Sequence, residues 1–362
     1  TLYMNMGNGN TRNRFSIIAL VIISGAFWAA SFPPLPTGFI AFFYLVPLWS
    51  ALKDVDCGWR AFRLGYIWGF VASLGILWWI YIPTLPGMLI LVLFLPLYAA
   101  LYVWLYFLIS RKHPNLAIVL SPILLVAVEY FRSYGQFGFP WVNISYSQSY
   151  YPVLIQFADI VGSFGVSFWV TAINSCIFFI IDSPFSKRFW IAIGILLILL
   201  GSALSYGIYK MDKNIDGTPV RIAMLQGNVD PYRKWSRQSK RRNAKLYSDM
   251  INSIADYSDI IIMPETATAC YHRLKPSMFN PIVDAAVRNN KPILTGSLDF
   301  DDDNRKLYYN TALLILPNGT YNQQYAKIQL VPFSEQVPLQ DYFPSLHKLN
   351  FGGSHFSRGK EY

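Results

Sequence analysis

The sequence predicts a multi-span α-helical membrane domain followed by an α/β domain. Only 14% of the 362 residues are charged, against about 25% in an ordinary soluble chain. The deficit is uneven, because 15 of the 50 charged residues precede Lys210 and the other 35 follow from it. Long apolar stretches fill the first part, whereas short alternating strand and helix patterns fill the second. We therefore expect a membrane domain over residues 1–209 and a water-soluble domain over residues 210–362.

Seven apolar segments in the first part approach or exceed the roughly 17 to 25 residues that a helix needs to cross the hydrocarbon core. They are Phe15–Ser31, Thr37–Leu52, Phe62–Ile82, Gly87–Ile109, Leu116–Phe131, Pro152–Ile181 and Phe189–Tyr209. The second and fifth are the shortest. The first also resembles a signal peptide, with Ala29–Ser31 as a cleavage site, but the spans that follow favour a retained anchor.

The basic residues predict the orientation of these segments, because Lys and Arg near spans stay in the cytoplasm. Nine of them fall on one side: Arg12, Arg14, Lys53, Arg60, Arg63, Arg111, Lys112, Lys187 and Arg188. The connections on the other side carry one, in Arg132–Tyr151. This pattern places the amino terminus in the cytoplasm and, after seven spans, the soluble domain outside, which in a bacterium means the periplasm. Topology and anionic lipid explain the net charge of +10 without a nucleic-acid partner.

The connection Arg132–Tyr151 is unusually rich in aromatic, Gly and hydroxyl residues and contains Trp141 and Tyr146. Its aromatic residues are typical either of a membrane-interface belt or of a lipid-contacting site. Two carboxylates, Glu129 and Asp159, lie within or at the edge of the spans. An intramembrane carboxylate is costly, so each is expected to be hydrogen-bonded.

Beyond Lys210 the pattern alternates between short strands and helices. The predicted elements are strand Val220–Gln226, helix Ser236–Tyr257, strand Ile260–Met263, helix Pro281–Asn289, strand Pro292–Gly296, strand Asn310–Leu316 and return strand Tyr321–Val331. This order favours α/β layers. The Pro317–Gly319 turn predicts that the last two strands form a hairpin.

Three ionisable residues flank β-type apolar runs in this domain. Pro264 ends one run and leaves Glu265 at its border, where a carboxylate is either paired structurally or poised for proton transfer. Lys327 precedes the strand-like run Ile328–Val331, and Glu335 follows it. An amine and two carboxylates at such borders could converge on one site.

Several stretches resemble those of known families. They are Gln226–Asn228 with Lys234 and Trp235 behind it, Met263–Ala267, Tyr309–Thr311 and Tyr325–Glu335, together with Pro33–Pro36, Pro140–Trp141 and Tyr146–Gln148 in the membrane part. The soluble part resembles the carbon-nitrogen hydrolase (nitrilase-type) family, whose fold is an α-β-β-α sandwich. The whole chain is similar to the bacterial apolipoprotein N-acyltransferase family.

The resemblance implies an acyl transfer that matures lipoproteins. A fatty acyl chain would pass from a phospholipid, through a cysteine thioester, to the N-terminal α-amine of the lipidated cysteine of a diacylated apolipoprotein. Glu265 would be the general base and Lys327 would stabilise the oxyanion. Glu335 would support Lys327 and the intermediate, or simply form an ion pair with that lysine. Trp235, Trp141 and Tyr146 would contact the lipid substrates. No cofactor is implied, and we expect a monomer.

The chain departs from the family pattern at the nucleophile. The family's cysteine lies on the carboxyl-terminal side of Lys327, and no Cys follows Cys270 here. We therefore expect a fragment with a truncated sandwich that is inactive by itself. Cys270 follows Glu265 in a predicted loop rather than on a strand-to-helix turn, which disfavours it as a substitute nucleophile.

Three alternative functions also fit parts of the sequence. A membrane-tethered nitrilase-type amidase would use the same Glu, Lys and Cys on a small substrate. A non-catalytic homologue would fit the missing nucleophile. A transporter is disfavoured, because neither repeated halves nor polar groups near the midplane are evident. The four histidines lack metal-ligand spacing, so no metal site is predicted.

Overall fold

The computed structural model describes residues 13–213, 216–230, 233–302, 304, 307–321, 323–332, 335–337, 339–340, 342–343, 345 and 356–361. The chain divides into two compact units, Thr1–Asn214 and Ile215–Tyr362. Each unit has its own apolar core.

The first unit is helical. Its helices are α1 (Arg14–Ala30), α2 (Leu45–Leu52), α3 (Gly58–Leu77), α4 (Leu85–Phe94), α5 (Pro96–Ser110), α6 (Pro114–Ser133), α7 (Ala158–Asp182) and α8 (Lys187–Asp212). Among the described residues, five stretches are long and apolar enough to cross a membrane: Gly58–Tyr81, Leu85–Ser110, Pro114–Ser133, Ala158–Asp182 and Lys187–Asp212. A helical part followed by a sheet-containing part confirms the predicted fold class.

The first two of the seven predicted segments form shorter apolar helices, Arg14–Ala30 and Gly38–Leu52. The second of these opens with a 3₁₀ turn, Gly38–Phe42, so its α-helical portion, α2, is only eight residues long. The fifth predicted segment, by contrast, is a 20-residue helix that contains Pro122. An internal proline would break an isolated helix, but it is tolerated here because the helix packs against its neighbours.

Aromatic side chains and close helix contacts hold the first unit together. Trp28 and Trp68 pack with ring centroids 4.5 Å apart, and Trp49 and Tyr102 are fully buried. A Cβ on Gly65 of α3 would lie 2.8 Å from the Cα atom of Ala100 on α5. Glycine therefore allows these two backbones to approach, as small residues commonly do between membrane helices.

The second unit contains strands β1 (Ile222–Met224), β2 (Ile260–Ile262), β3 (Ile293–Phe300), β4 (Tyr308–Ile315) and β5 (Gln323–Ala326), with helices α9 (Arg237–Ile254) and α10 (Pro276–Asn289). The sheet order is β1-β2-β3-β4-β5. Strands β1, β2 and β3 pair in parallel, and β4 is antiparallel to both β3 and β5. Parallel pairs require crossover connections, which α9 and α10 supply.

Three predicted boundaries in this unit differ from the structure by four residues or more. Helix α10 begins at Pro276 instead of Pro281, because Pro276 occupies the first helical turn, where a missing N–H costs nothing. Strand β3 continues to Phe300, four residues beyond the predicted end. The return strand β5 ends at Ala326 rather than at Val331. Lys327 therefore follows the hairpin's second strand instead of lying within it.

Candidate active site

Glu265 lies just beyond the carboxyl end of β2. The Met263 N–H still donates to the Leu294 carbonyl at 2.8 Å, so pairing with β3 persists up to Pro264. Thr266 and Ala269 then adopt left-handed conformations, with φ of 49° and 51°. Such values are uncommon for residues with a Cβ, and they fold the chain into a tight turn.

Gly296 of β3 makes room for this turn. A Cβ at position 296 would lie 2.4 Å from the Thr266 nitrogen and 2.6 Å from the Glu265 Cα atom. Both neighbours are backbone atoms, which cannot swing aside as the end of a side chain can. The absence of a side chain at Gly296 thus fixes how closely the backbone of Glu265 lies against the sheet.

The predicted return strand does not continue through Ile328–Val331, which follow Lys327 and form no strand in the structure. The Lys327 N–H donates to the Asn310 carbonyl at 2.8 Å, which extends the pairing of β5 with β4 by one residue. The Glu335 N–H donates to the Val331 carbonyl at 2.9 Å, and the Glu335 carboxylate accepts from the Val331 N–H at 2.8 Å. These two bonds satisfy backbone groups of Val331 that a strand would have left to a neighbouring strand.

The three predicted catalytic side chains lie together. Lys327 Nζ is 3.2 Å from Glu265 Oε1 and 2.9 Å from Glu335 Oε2. Asn310 of β4 joins them, because its Nδ2 donates to Glu265 Oε1 and also to Glu335 Oε1, the latter at 3.1 Å. One ammonium and one amide therefore bridge two carboxylates.

The two carboxylates differ in accessibility. The Glu265 side chain is 59% exposed, whereas that of Glu335 is 12% exposed and is held by a backbone N–H as well as by Lys327. Glu335 is thus confined to one arrangement, while Glu265 can be reached by another molecule.

The pKa of Lys327 is raised above its ordinary value. Burial is the largest single influence and lowers it, but the hydrogen bond that Lys327 donates to Glu335 and the charges of Glu335 and Glu265 together outweigh burial. The side chain therefore carries a positive charge throughout the neutral range, as an oxyanion-stabilising group must.

A second lysine, Lys234, borders the Glu265 turn. Its Nζ donates to Thr266 Oγ1 at 2.5 Å and to the Glu265 carbonyl at 3.4 Å. Burial lowers the pKa of Lys234, and the charge of Glu265 partly opposes that effect. The exposed ring of Trp235 lies 5.8 Å from Lys234 Nζ and 5.6 Å from Lys240 Nζ, within the range of cation–π attraction.

Cys270 is buried, and its thiol donates to Thr268 Oγ1 at 3.2 Å. Burial raises the pKa of this thiol more strongly than the hydrogen bond with Thr268 lowers it. A buried thiol with a raised pKa is a poor nucleophile, because the thiolate is the reactive form.

Trp141 and Tyr146 belong to the first unit, in a loop of 3₁₀ turns that follows α6, and both are exposed. Trp141 stacks on Trp79 with ring centroids 5.6 Å apart. The loop is held to α6 by a hydrogen bond, in which the Ile144 N–H donates to Glu129 Oε1 at 2.7 Å. The hydrogen-bonded state expected of Glu129 is thus what the structure shows.

Arg132 was predicted to lie in this loop but forms part of the last turn of α6, where it is buried. Its guanidinium donates to Asn143 Oδ1 at 2.5 Å and lies 3.7 Å from the Glu129 carboxylate. Asp159, the other carboxylate singled out in the spans, pairs with Lys210 at 2.6 Å. The sequence predicted a loop position for Arg132 because it is a charged residue next to an apolar run. Its contacts with Glu129 and Asn143 instead stabilise it within the helix.

Asn310, Gly296 and Lys234 were not predicted as site residues. Asn310 falls inside the Tyr309–Thr311 stretch that resembles the family, and Lys234 directly precedes Trp235, so both carried a signal. Gly296 carried none, because its importance depends on the register between β2 and β3. Within the described parts of the chain, no group of three or more His, Cys, Asp or Glu side chains could hold a metal ion.

Comparison with known proteins agrees with this architecture. Residues 24–176 match the model of the apolipoprotein N-acyltransferase N-terminal domain, and residues 221–354 match that of the carbon-nitrogen hydrolase family. An apolipoprotein N-acyltransferase from Geobacter metallireducens is 31% identical over 94% of this chain and 69% of its own length. The chain belongs to the apolipoprotein N-acyltransferase family. A relative from Chlorobaculum tepidum with the same description is 29% identical over 94% of this chain and 70% of that protein.

The chain spans between 60% and 70% of the length of the family members it matches. Among solved structures, an amidase from Nesterenkonia sp. is 14% identical and covers 41% of this chain and 51% of that chain, with a TM-score of 0.29. The chain is therefore an acyltransferase by family, and the five apolar helices among its described residues indicate a membrane protein.

Proposed function

We propose that this protein transfers a fatty acyl chain from a phospholipid, through a cysteine thioester, to the N-terminal α-amine of the lipidated cysteine of an apolipoprotein. The observation that carries the proposal is the network of Glu265, Lys327, Glu335 and Asn310 in a chain of this family. The network offers an accessible carboxylate beside a fixed positive charge, which acyl transfer to and from a thiol requires.

Glu265 is the proposed general base. A thiol is mostly protonated at neutral pH, so attack on an ester carbonyl requires a group that removes its proton. The nucleophile is the cysteine that the family resemblance places on the carboxyl-terminal side of Lys327. Of the two carboxylates on Lys327, Glu265 is the exposed one, which supports this assignment over Glu335.

Lys327 is the proposed oxyanion-stabilising group. The thiolate sulfur bonds to the ester carbonyl carbon, and the carbonyl oxygen takes up the negative charge of the tetrahedral intermediate. When the intermediate collapses, the bond to the glycerol oxygen breaks, and Glu265 returns its proton to that oxygen. A lysophospholipid leaves and a thioester remains.

The second step uses the same groups in the same order. The α-amine of the acceptor attacks the thioester carbon, Glu265 takes the proton from the amine, and the sulfur leaves as the thiol after accepting that proton. An amide replaces a thioester, so the overall transfer is downhill without a nucleotide. Glu335 and Asn310 are proposed to position Lys327 and Glu265 and not to contact the reacting atoms.

Both substrates are anchored in a bilayer, which agrees with a helical unit that has five apolar spans. We propose that the spans lie in the bacterial inner membrane with the α/β unit in the periplasm, as the distribution of Lys and Arg predicts. Trp235, Trp141 and Tyr146 are proposed to contact acyl chains, since each presents an exposed aromatic ring.

The test uses the protein expressed with its natural ends, incubated with a phospholipid and a diacylated lipopeptide. We expect mass spectrometry to detect an acyl adduct on one cysteine and an N-acylated lipopeptide as the product. Loss of a general base typically costs about 10² to 10⁴-fold in rate, so Glu265→Gln should slow adduct formation by that factor. Asp256→Asn, at an exposed carboxylate, is the matched control.

Two outcomes would contradict the proposal. An unmodified cysteine with no acylated lipopeptide would remove the thioester route. Hydrolysis of small amides to ammonia and the matching carboxylic acid, with no transfer to the lipopeptide, would instead identify a membrane-tethered amidase.

A further inference from the structure

Two cavities adjoin at one end of the helical unit, where α6 and α8 begin and α7 ends. One has a volume of about 360 Å³ and the other about 670 Å³. Asn115 and Arg188 line both of them. The two cavities are therefore neighbours that share a polar boundary.

The smaller compartment is an apolar cleft between α6, α7 and α8. On α7 it extends from Phe179 to Phe168, and eleven residues of helix correspond to about 16 Å. Ala172 and Ala192 leave space that larger side chains would fill, and Ile195 closes one wall. A narrow apolar cleft of this length along membrane helices suits a hydrocarbon chain.

The larger compartment is polar, and its lining includes Lys53, Arg111, Arg188, Asp56 and Asp182. Three cationic and two anionic side chains leave positive charge in excess. Lys53 is paired with Asp182, and Arg111 donates to the Asp56 carbonyl at 3.2 Å. Arg188 is exposed and forms no ion pair with any residue that the structure describes.

We propose that this site binds an anionic phospholipid, with one acyl chain in the apolar cleft and its phosphate at Arg188 and Asn115. An apolar compartment and a cationic compartment that share Asn115 and Arg188 match the two ends of one amphiphilic molecule. A guanidinium can bind phosphate oxygens in a bidentate manner, and the Asn115 amide adds a further donor. The excess positive charge favours an anionic headgroup over a zwitterionic one.

This site is separate from the proposed substrate contacts. Helix α6 spans 20 residues from Pro114 to Ser133, about 30 Å, and the loop with Trp141 and Tyr146 follows its far end. The bound lipid would lie against the opposite end of the helical unit. Its expected role is to hold α8 against α6 and α7 rather than to donate an acyl chain.

The test measures lipid retention by native mass spectrometry. The purified protein is released from nanodiscs that contain phosphatidylglycerol and phosphatidylcholine in equal amounts. A cation near a membrane surface is worth about 1 kcal/mol toward an anionic lipid, which corresponds to about a five-fold change in occupancy. We therefore expect Arg188→Gln to lose phosphatidylglycerol about five-fold and phosphatidylcholine little.

Lys187→Gln is the matched control, because it removes the same charge at the next position, which lines neither cavity. Ile195→Trp should fill the cleft and reduce retention of both lipids, whereas Ile198→Trp, at an exposed position outside the cleft, should not. These two substitutions leave every charge unchanged, so they test the acyl compartment independently.

Equal retention of phosphatidylglycerol by Arg188→Gln and Lys187→Gln would overturn the proposal. Retention that is unaffected by Ile195→Trp but abolished by millimolar inorganic phosphate would also overturn it, because the site would then bind phosphate and not a lipid.

Discussion

Replacing Gly296 with alanine tests how the sheet positions Glu265. The added Cβ would lie 2.4 Å from the Thr266 nitrogen, about 1 Å short of ordinary van der Waals contact. Two further backbone atoms, the Cα and carbonyl carbon of Glu265, lie 2.6 and 2.9 Å away. Since no flexible side chain can give way, the turn that carries Glu265 must move away from β3 by a similar distance.

The expected effects on stability and on activity differ in size. Overpacking of this kind typically costs about 1 to 3 kcal/mol of folding free energy. A displacement of about 1 Å in a reacting group can cost about 10²-fold in rate. Gly296→Ala should therefore remain folded at moderate temperature while its rate of acyl transfer falls about 100-fold.

The assay follows transfer of a labelled acyl chain from phospholipid to a diacylated lipopeptide, alongside thermal unfolding of the same preparations. Gly201→Ala is the control, because a Cβ there meets no atom within 4 Å and alanine is the better helix former. Wild-type activity in Gly296→Ala would refute the reasoning, since it would mean that Glu265 tolerates the shift or does not act in the transfer. Equal loss in both variants would point to a general effect of Gly→Ala changes.

Two further predictions concern buried charge. In Glu335→Gln, the charge of Glu335 and its hydrogen bond with Lys327 no longer oppose burial, so the lysine pKa should fall from its raised value. In the wild type, Lys327 keeps its ammonium form until the pH rises past the ordinary lysine pKa of 10.5. In Glu335→Gln the ammonium form would be lost at lower pH, so the alkaline limb of the pH–rate profile should move to lower pH. Asp256→Asn should leave that limb unchanged. Arg132→Met should destabilise the helical unit by about 3 to 5 kcal/mol, because Glu129 is left buried and unpaired. The double change with Glu129→Gln should recover most of this loss in thermal unfolding, and no recovery would show that the pair is not coupled.

The three proposed catalytic residues could be located from sequence because each lies next to a local signal. Glu265 comes after an apolar strand and a proline, and this signal depends only on neighbouring residues. The run after Lys327 was wrongly predicted to be a strand, because its structure depends on a residue outside the run. Its composition fits a strand, but Glu335 returns to bind the Val331 N–H, which removes that donor from any ladder. A side chain eight residues beyond Lys327 thus decided the local structure.

Asn310 and Gly296 illustrate what local patterns do not contain. Asn310 reaches both carboxylates because β4 pairs with β3 and β5 in one particular register, in which Thr311 opposes Ala326. A shift by one residue would turn its side chain to the other face of the sheet. Gly296 matters only because the turn after β2 passes directly over it. Both roles arise from strand pairing between distant segments.

The charge balance of the network suggests why two carboxylates share one lysine. Glu265 and Glu335 together exceed the charge of Lys327 by one negative charge. The two carboxylates are not equivalent partners of the lysine, because Glu335 is largely buried and Glu265 is exposed. The hydrogen bond to Glu335 and the charge of Glu335 are the larger of the influences that raise the pKa of Lys327 against burial. In the proposed mechanism, Glu335 therefore keeps the lysine charged and in place, and Glu265 is the carboxylate that a nucleophile can reach.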